Sequence, residues 1–172
     1  MFFKIKSIEI LPDFIIRASF ENNVIKTYNF KPLFAKYPVF EPLKQESFFA
    51  QAVVDCGGYG IKWNDDIDID TAEIWYNGVT DLNSEQDIVN YLNAVVNEPD
   101  TKLFIKALDD VAKSKGVCSL AKKMEVNRES LYKSLNGESE PKFKTIDKFL
   151  RAIGIGIKFL PISTIVSTND LH

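Results

Sequence analysis

Residues 117–137 read VCSLAKKMEVNRESLYKSLNG, and this stretch predicts two short helices joined by a tight turn. Ala121 supplies the small side chain that lets a second helix cross over the first. Asn127 is a residue type that caps the start of a helix, and Leu131 and Leu135, four positions apart, predict the buried face of the second helix. The pattern is typical of a helix-turn-helix.

The other side chains of this stretch divide into an inner and an outer set. Leu120 and Met124 are expected to complete the inner face of the first helix, and Val126 to fill the turn. If the second helix enters a major groove of double-stranded DNA, residues near its start reach base edges, and Arg128 suits a bidentate contact with guanine. The alternative is that this helix packs against the N-terminal part of the chain or a partner protein and never meets DNA. The predicted DNA-binding residues are Ser119, Lys122, Asn127, Arg128, Glu129, Ser130, Tyr132, Lys133 and Asn136.

Two longer amphipathic helices are predicted before this stretch. Ser84 followed by Asp87 resembles a capping box, and apolar residues recur at helical spacing from Ile88 onward; the predicted stripe is Ile88, Tyr91, Leu92, Val95 and Val96. A second helix is expected from Thr101 to a stop at Gly116. Since strand-like patterns dominate the chain before these helices, we place a domain boundary near residue 80.

Matching residues continue over nearly half of the chain. In chain order they are Tyr91-Leu92, 104–108 (FIKAL), 111–116 (VAKSKG), Leu120-Ala121, 128–135 (RESLYKSL), Pro141 with Phe143, and 150–154 (LRAIG). In order and spacing this resembles the Xre-type, lambda-repressor-like helix-turn-helix proteins, and in detail the HigA-type addiction-module antidotes of toxin-antitoxin systems. The resemblance implies an all-α DNA-binding domain over residues 81–162 and an antitoxin that represses its own operon.

The sequence departs from that family at two positions. The family usually has Gly at the first position of the turn and Ser or Thr at the start of the preceding helix, whereas this chain has Glu125 and Cys118. A residue other than Gly in a left-handed conformation costs about 1 kcal/mol. The turn is therefore expected to be strained or rearranged without being abolished.

Residues 1–80 predict an α+β domain with a small antiparallel sheet. Three strands are expected in the first 30 residues, a short helix over 45–52, and a hairpin around Gly57-Gly58. This part resembles a small bacterial domain family of unknown function, which implies no activity. The residues that carry the likeness are Phe20-Glu21-Asn22, Pro32-Leu33, 40–43 (FEPL), Phe48, Ile61-Lys62-Trp63 and Asp68. After Gly154 a strand-like alternation is expected over 155–161, followed by a flexible tail over 163–172.

Composition and charge exclude several classes of protein. The 172 residues are 45% hydrophobic and 26% charged, which argues against disorder, and no stretch is apolar enough to predict a membrane span, so a cytoplasmic location is expected. The single histidine is His172, so catalytic mechanisms and metal sites that rely on histidine are not expected, and no cofactor loop is present. The acidic run 65–70 lacks the Gly and Glu of a calcium loop and predicts an acidic loop or edge strand.

The net charge of -3 hides a reversal of sign along the chain. Residues 1–100 carry 8 Lys and Arg against 16 Asp and Glu, whereas residues 101–172 carry 13 against 8. A basic last third suits a polyanion, although a solvated Lys-rich helical surface has the same composition. We therefore expect a non-enzymatic, sequence-specific DNA-binding regulator acting as a homodimer, because one recognition helix reads too few base pairs. The alternative is a protein-interaction module that binds a partner such as a cognate toxin, with little or no DNA binding.

Overall fold

The computed structural model describes residues 3–136 and 140–161. Contacts divide the chain into two compact units, one reaching Val111 and one starting at Ala112. The first unit has an antiparallel sheet of four strands and the chain then becomes helical, so the predicted α+β class is confirmed. The flexible tail predicted for 163–172 lies outside the described residues.

The main sheet of the first unit has the order β1-β2-β3-β7, with every neighbouring pair antiparallel. The strands are β1 (Ile5–Leu11), β2 (Ile15–Phe20), β3 (Ile25–Asn29) and β7 (Val79–Thr80). Side chains of β2 alternate between half-buried and buried, because successive residues of a strand point to opposite faces. The predicted three-stranded antiparallel start is confirmed.

A smaller sheet and three helices complete most of the first unit. The sheet has the order β4-β5-β6, formed by β4 (Val53–Val54), β5 (Gly60–Lys62) and β6 (Asp68–Asp70). The helices are α1 (Lys31–Lys36), α2 (Glu46–Phe49) and α3 (Thr71–Asn77), and a 3₁₀ segment spans Pro38–Lys44. The acidic run forms β6 and its approach, with Ile67 and Ile69 buried and Asp68 exposed, as an edge-strand pattern requires.

Aromatic side chains make up much of this core. Trp75 of α3 is buried and stacks on Phe3, with ring centroids 3.6 Å apart. Trp63 is buried as well, and its indole N–H donates to the carbonyl oxygen of Phe49 at 2.8 Å. Tyr76, the next residue of α3, is exposed, because consecutive residues of a helix cannot all point inward.

Helices α4 (Glu85–Val96) and α5 (Thr101–Lys115) follow the sheet. Ser84 and Asp87 form the predicted capping box, with each side chain accepting from the other residue's backbone N–H. The stripe of α4 is buried as predicted except for Val96, which is half-exposed. Tyr91 of α4 contacts Trp75, with ring centroids 6.4 Å apart, so this helix groups with the sheet. The domain boundary near residue 80 stays a prediction.

Within the described residues, the second unit has three further helices. They are α6 (Val117–Lys123), α7 (Arg128–Leu135) and α8 (Phe143–Ala152). Their buried side chains include those predicted for the inner face of the 117–137 stretch: Leu120, Ala121, Met124, Leu131 and Leu135, joined by Phe149 and Leu150 of α8. The strand-like alternation predicted after Gly154 forms no strand over 155–161.

Candidate nucleic-acid interface

The end of α6 sets the geometry of the turn between the two short helices. The backbone N–H of Val126 donates to the carbonyl oxygen of Ala121 at 3.0 Å, and that of Glu125 donates to Lys122 at 3.1 Å. These two bonds form a Schellman motif, whose C′ residue must be left-handed. Glu125 occupies that position with φ 50°, so the strain predicted from the missing Gly is present and the turn forms nonetheless. Val126, predicted to fill the turn, is exposed instead.

The start of α7 is fixed by a side chain. The Asn127 side-chain oxygen accepts from the backbone N–H of Glu129 at 2.8 Å, which confirms the predicted cap. Leu131 and Leu135 then pack inward. Because these two residues define the inner face of the helix, residues on its other sides point outward, and Arg128, Glu129 and Tyr132 are exposed.

Part of the predicted set lies together. Five of its residues line a shallow open depression of about 430 Å³ along α7: Asn127, Arg128, Glu129, Tyr132 and Lys133. Ser130 is exposed and lies outside this depression, and its carbonyl oxygen accepts from the Ser134 hydroxyl at 2.8 Å. The structure therefore brings together the predicted residues of the second helix that lie nearest its start and along one side.

The remaining predicted residues lie on α6 and at the end of α7. Ser119 and Lys122 are exposed on α6, and Asn136 is exposed at the C-cap of α7. None of the three lines the depression. Ser119 and Lys122 belong to the preceding helix, and Asn136 directly follows the last residue of α7.

Lys123 is a basic residue of α6 that the predicted set leaves out. Lys123 is exposed beside Lys122 in the last turn of α6. The positive charge of a lysine in the last turn of a helix interacts favourably with the negative end of the helix dipole. The Lys-Lys pair in the sequence was the available signal, and helical periodicity alone does not select between its two members.

Over residues 3–136 and 140–161, no group of three or more His, Cys, Asp or Glu side chains is placed to hold a metal ion. Cys56 and Cys118 are both free thiols at exposed positions. No helix among the same residues combines the length and apolar character needed to cross a bilayer. His172 lies outside the described residues.

Comparison with known proteins adds matches for both parts of the chain. Residues 74–161 match a family described as "Probable addiction module antidote protein", and residues 5–80 match one described as "Protein of unknown function (DUF2442)". An uncharacterized protein of Haemophilus influenzae Rd is 35% identical over 74 residues, which cover 43% of this chain and 76% of that protein.

A solved structure is similar over most of its length but only weakly. It is the "Crystal Structure of Putative DNA Binding Protein NE0471 from Nitrosomonas europaea", with a TM-score of 0.42, 14% identity and coverage of 94% of each chain. This score is too low for the likeness to indicate a shared fold.

Proposed function

Since the chain belongs to the family of probable addiction module antidote proteins, we propose that it is a sequence-specific DNA-binding regulator of the HigA and Xre type that represses its own operon. The observation that carries this proposal is the outward face of α7. Its start is capped by Asn127, its inner face is anchored by Leu131 and Leu135, and its polar residues are presented together at the surface.

The proposed roles follow from position on the two helices. Arg128 lies in the first turn of α7, where a helix inserted in the major groove contacts base edges, and its planar guanidinium suits the O6 and N7 acceptors of guanine. Tyr132 and Lys133 lie one turn further on and contact bases or phosphates. Glu129 either accepts from the amino group of cytosine, which favours that base, or repels phosphate, which weakens binding to any duplex.

The flanking residues are assigned to the DNA backbone. Ser119, Lys122 and Asn136 are exposed beside α7 but outside the shared depression, a position that suits contacts to phosphate oxygens. Such contacts position the protein on DNA and carry no sequence information directly. Binding to any duplex should therefore depend on Lys122, whereas choice among duplexes should depend on Arg128.

Repression is proposed to require two copies of the chain. A single recognition helix contacts only a few base pairs, and two half-sites about one helical turn apart multiply the specificity. The operator is accordingly expected to be an inverted repeat upstream of the chain's own gene.

The test is fluorescence anisotropy of the full chain with labelled DNA from upstream of its gene and with scrambled duplex, over a salt series. We expect tight operator binding whose logarithm falls steeply with the logarithm of salt concentration, since phosphate contacts release counterions. Arg128→Ala should reduce the preference for operator over scrambled DNA by about 1–3 kcal/mol, which is about 5- to 150-fold.

Two control variants distinguish the loss of a positive charge from the loss of a base-specific contact. Arg151→Ala removes one positive charge from an exposed position of α8, where Arg151 pairs with Asp147 at 3.0 Å, and should leave the preference for operator unchanged. Lys122→Ala should weaken binding to both duplexes and make the salt slope shallower by about 1. An Arg128→Ala protein with undiminished discrimination would refute the proposed docking, and no binding to either duplex at low salt would refute DNA binding itself.

A further inference from the structure

An open groove of about 330 Å³ lies in the first unit, far along the chain from α7. Its floor is apolar and includes the buried side chains Leu33, Phe40 and Ile69. We call it the acidic groove, because Asp68, Asp70 and Glu73 line it together with these apolar residues. Nothing in the proposed DNA binding uses this surface.

Two apolar side chains of the acidic groove are exposed. Tyr37 is 42% and Val39 52% accessible. Tyr37 has an extended backbone, and Pro38 then starts the 3₁₀ segment, so the chain changes direction after Tyr37. The side chains of Tyr37 and Val39 therefore do not join the core. Large apolar side chains beside a concave apolar floor are typical of a surface that binds another molecule.

The carboxylates of the acidic groove are held in place to different degrees. The Asp70 side chain accepts from the backbone N–H of Ala72 as the cap of α3, and Glu73 accepts from the Tyr28 hydroxyl at 2.6 Å. Asp68 is exposed on β6, opposite Lys62 in the strand register. Two of the three acidic groups are therefore preorganised, while the third faces solvent.

One aromatic ring of the groove already contacts a cation, that of its sequence neighbour Lys36, which does not itself line the groove. Lys36 Nζ lies 4.9 Å from the centroid of the Tyr37 ring, within the range of a cation-π interaction. The face of Tyr37 is thus electrostatically suited to an ammonium or guanidinium group. A polyanion is disfavoured here, since residues 1–100 carry 8 basic against 16 acidic side chains and three carboxylates line the groove.

We propose that the acidic groove binds a segment of a partner protein in which a Lys or Arg lies beside an aliphatic or aromatic side chain. The apolar side chain enters over Leu33, Phe40 and Ile69, and the cation is held by the carboxylates. Charge complementarity selects a cationic partner, and the apolar floor selects against a purely polar cation such as polyamine. This inference concerns the first unit and does not depend on DNA binding by the second.

The test uses the full chain and short fluorescein-labelled peptides that alternate Arg with Leu, Glu with Leu, or Arg with Ser. We expect anisotropy to show saturable binding of the Arg-Leu peptide, with the Glu-Leu and Arg-Ser peptides at least about tenfold weaker, because each lacks one half of the recognition. Equal binding of the Arg-Leu and Arg-Ser peptides, or no binding of the Arg-Leu peptide, would overturn the proposal.

Matched variants locate the binding on the chain. Val39→Ser should weaken the Arg-Leu peptide about fivefold, whereas Val53→Ser, at an equally exposed valine of β4 (50% against 52%), should leave it unchanged. Asp68→Asn should weaken binding about threefold, and Asp66→Asn, at an exposed carboxylate outside the groove, should have no effect.

The double variant with Val39→Ser and Asp68→Asn should lose more than about tenfold. All four positions are exposed, so folding is expected to persist, and thermal unfolding followed by circular dichroism checks it. Losses of equal size in the groove variants and their matched controls would show nonspecific attraction to an acidic protein and would overturn the proposed site.

Discussion

Lys26 is the buried cation of the first unit, and its titration predicts how stability changes with pH. It is 1% exposed, its Nζ donates to Thr80 Oγ1 at 2.6 Å, and it lies 4.7 Å from the Tyr91 ring centroid and 5.2 Å from that of Trp75. Burial, assisted by the charge of Lys106 and opposed by that of Asp110, lowers the pKa of Lys26 from 10.5 to about 8.

The direction in which the free energy of unfolding changes with pH follows from the number of protons that the folded and unfolded chains bind. Below about pH 8 both the folded and the unfolded chain hold the Lys26 proton. Between about 8 and 10.5 the unfolded chain holds a proton that the folded chain has released, so the free energy of unfolding rises with pH in this window. With these two pKa values, the rise from about pH 7.5 to about pH 9.5 is about 2 kcal/mol.

Two buried tyrosines act in the opposite sense at higher pH. Burial, together with Asp110, raises the pKa of Tyr91, and burial, together with the hydrogen bond to Glu73, raises that of Tyr28. A raised pKa in the folded state means stability that is present below the ordinary tyrosine value, about 10, and lost as pH rises above it. The measurement is therefore kept below about pH 10, where the Lys26 contribution stands alone among these three groups.

The assay is urea unfolding followed by tryptophan fluorescence at several values between about pH 7.5 and 9.5, with wild-type chain and Lys26→Met. Trp63 and Trp75 both lie in the first unit, so the signal reports on its unfolding. We expect the rise in unfolding free energy to disappear in Lys26→Met and to persist in the control Lys62→Met, which removes an exposed lysine of β5. An undiminished rise in Lys26→Met would refute the assignment to Lys26.

Three further substitutions test the local geometry. Glu125→Gly should stabilise the second unit by about 1 kcal/mol, because φ is 50° there; thermal unfolding should show no such gain for Glu125→Ala, and its appearance there would refute backbone strain as the cause. Gly78→Ala should cost about 1–3 kcal/mol in urea unfolding, since an added Cβ would lie 2.5 Å from the carbonyl oxygen of Ile74; an unchanged midpoint would contradict this. Asn127→Ala should cost about 1 kcal/mol of thermal stability by removing the acceptor for the Glu129 N–H, whereas Asn127→Asp, which keeps an acceptor, should cost less.

Features that depend on a few neighbouring residues were predictable from the sequence. The capping box of Ser84 and Asp87, the cap at Asn127 and the break at Gly116 all appear as expected, with Gly116 at φ 84°. The two caps are decided by side chains within one helical turn of the backbone groups they satisfy, and the break is decided by the positive φ that glycine allows. The strained turn at Glu125 was expected from the resemblance, because the family usually has Gly at this position.

Features that depend on distant parts of the chain were not predictable. Lys26 lies on a strand whose alternation says nothing of the rings of Trp75 and Tyr91 on two later helices. The acidic groove combines the 3₁₀ segment with residues about 30 positions later, so no local window contains it. Val96 fits a helical stripe but is exposed, because periodicity predicts a face and not how far a neighbouring element covers it.

The site on α7 falls between these two cases. Helical spacing identified which residues point outward, since Leu131 and Leu135 fix the inner face. Helical spacing did not separate the five residues that line the depression from Ser119, Lys122 and Asn136, which lie outside it. That division depends on how α6 and α7 pack. The proposed division between base contacts and phosphate contacts therefore rests on the placement of the two helices and not on the sequence pattern.

The two proposed surfaces carry opposite charge, yet salt weakens binding at both, because DNA on α7 and a cationic segment in the acidic groove are each held partly by ion pairs. A salt series alone thus cannot assign a binding event to a surface. An added polyanion can make this assignment. It competes directly with DNA for the basic helices. It does not compete for the acidic groove and lowers peptide binding only by binding the cationic peptide itself, an effect that a control without protein measures. Under those conditions Arg128→Ala should affect only the DNA and Asp68→Asn only the peptide. A variant that altered both would mean that the two binding events are coupled through the chain.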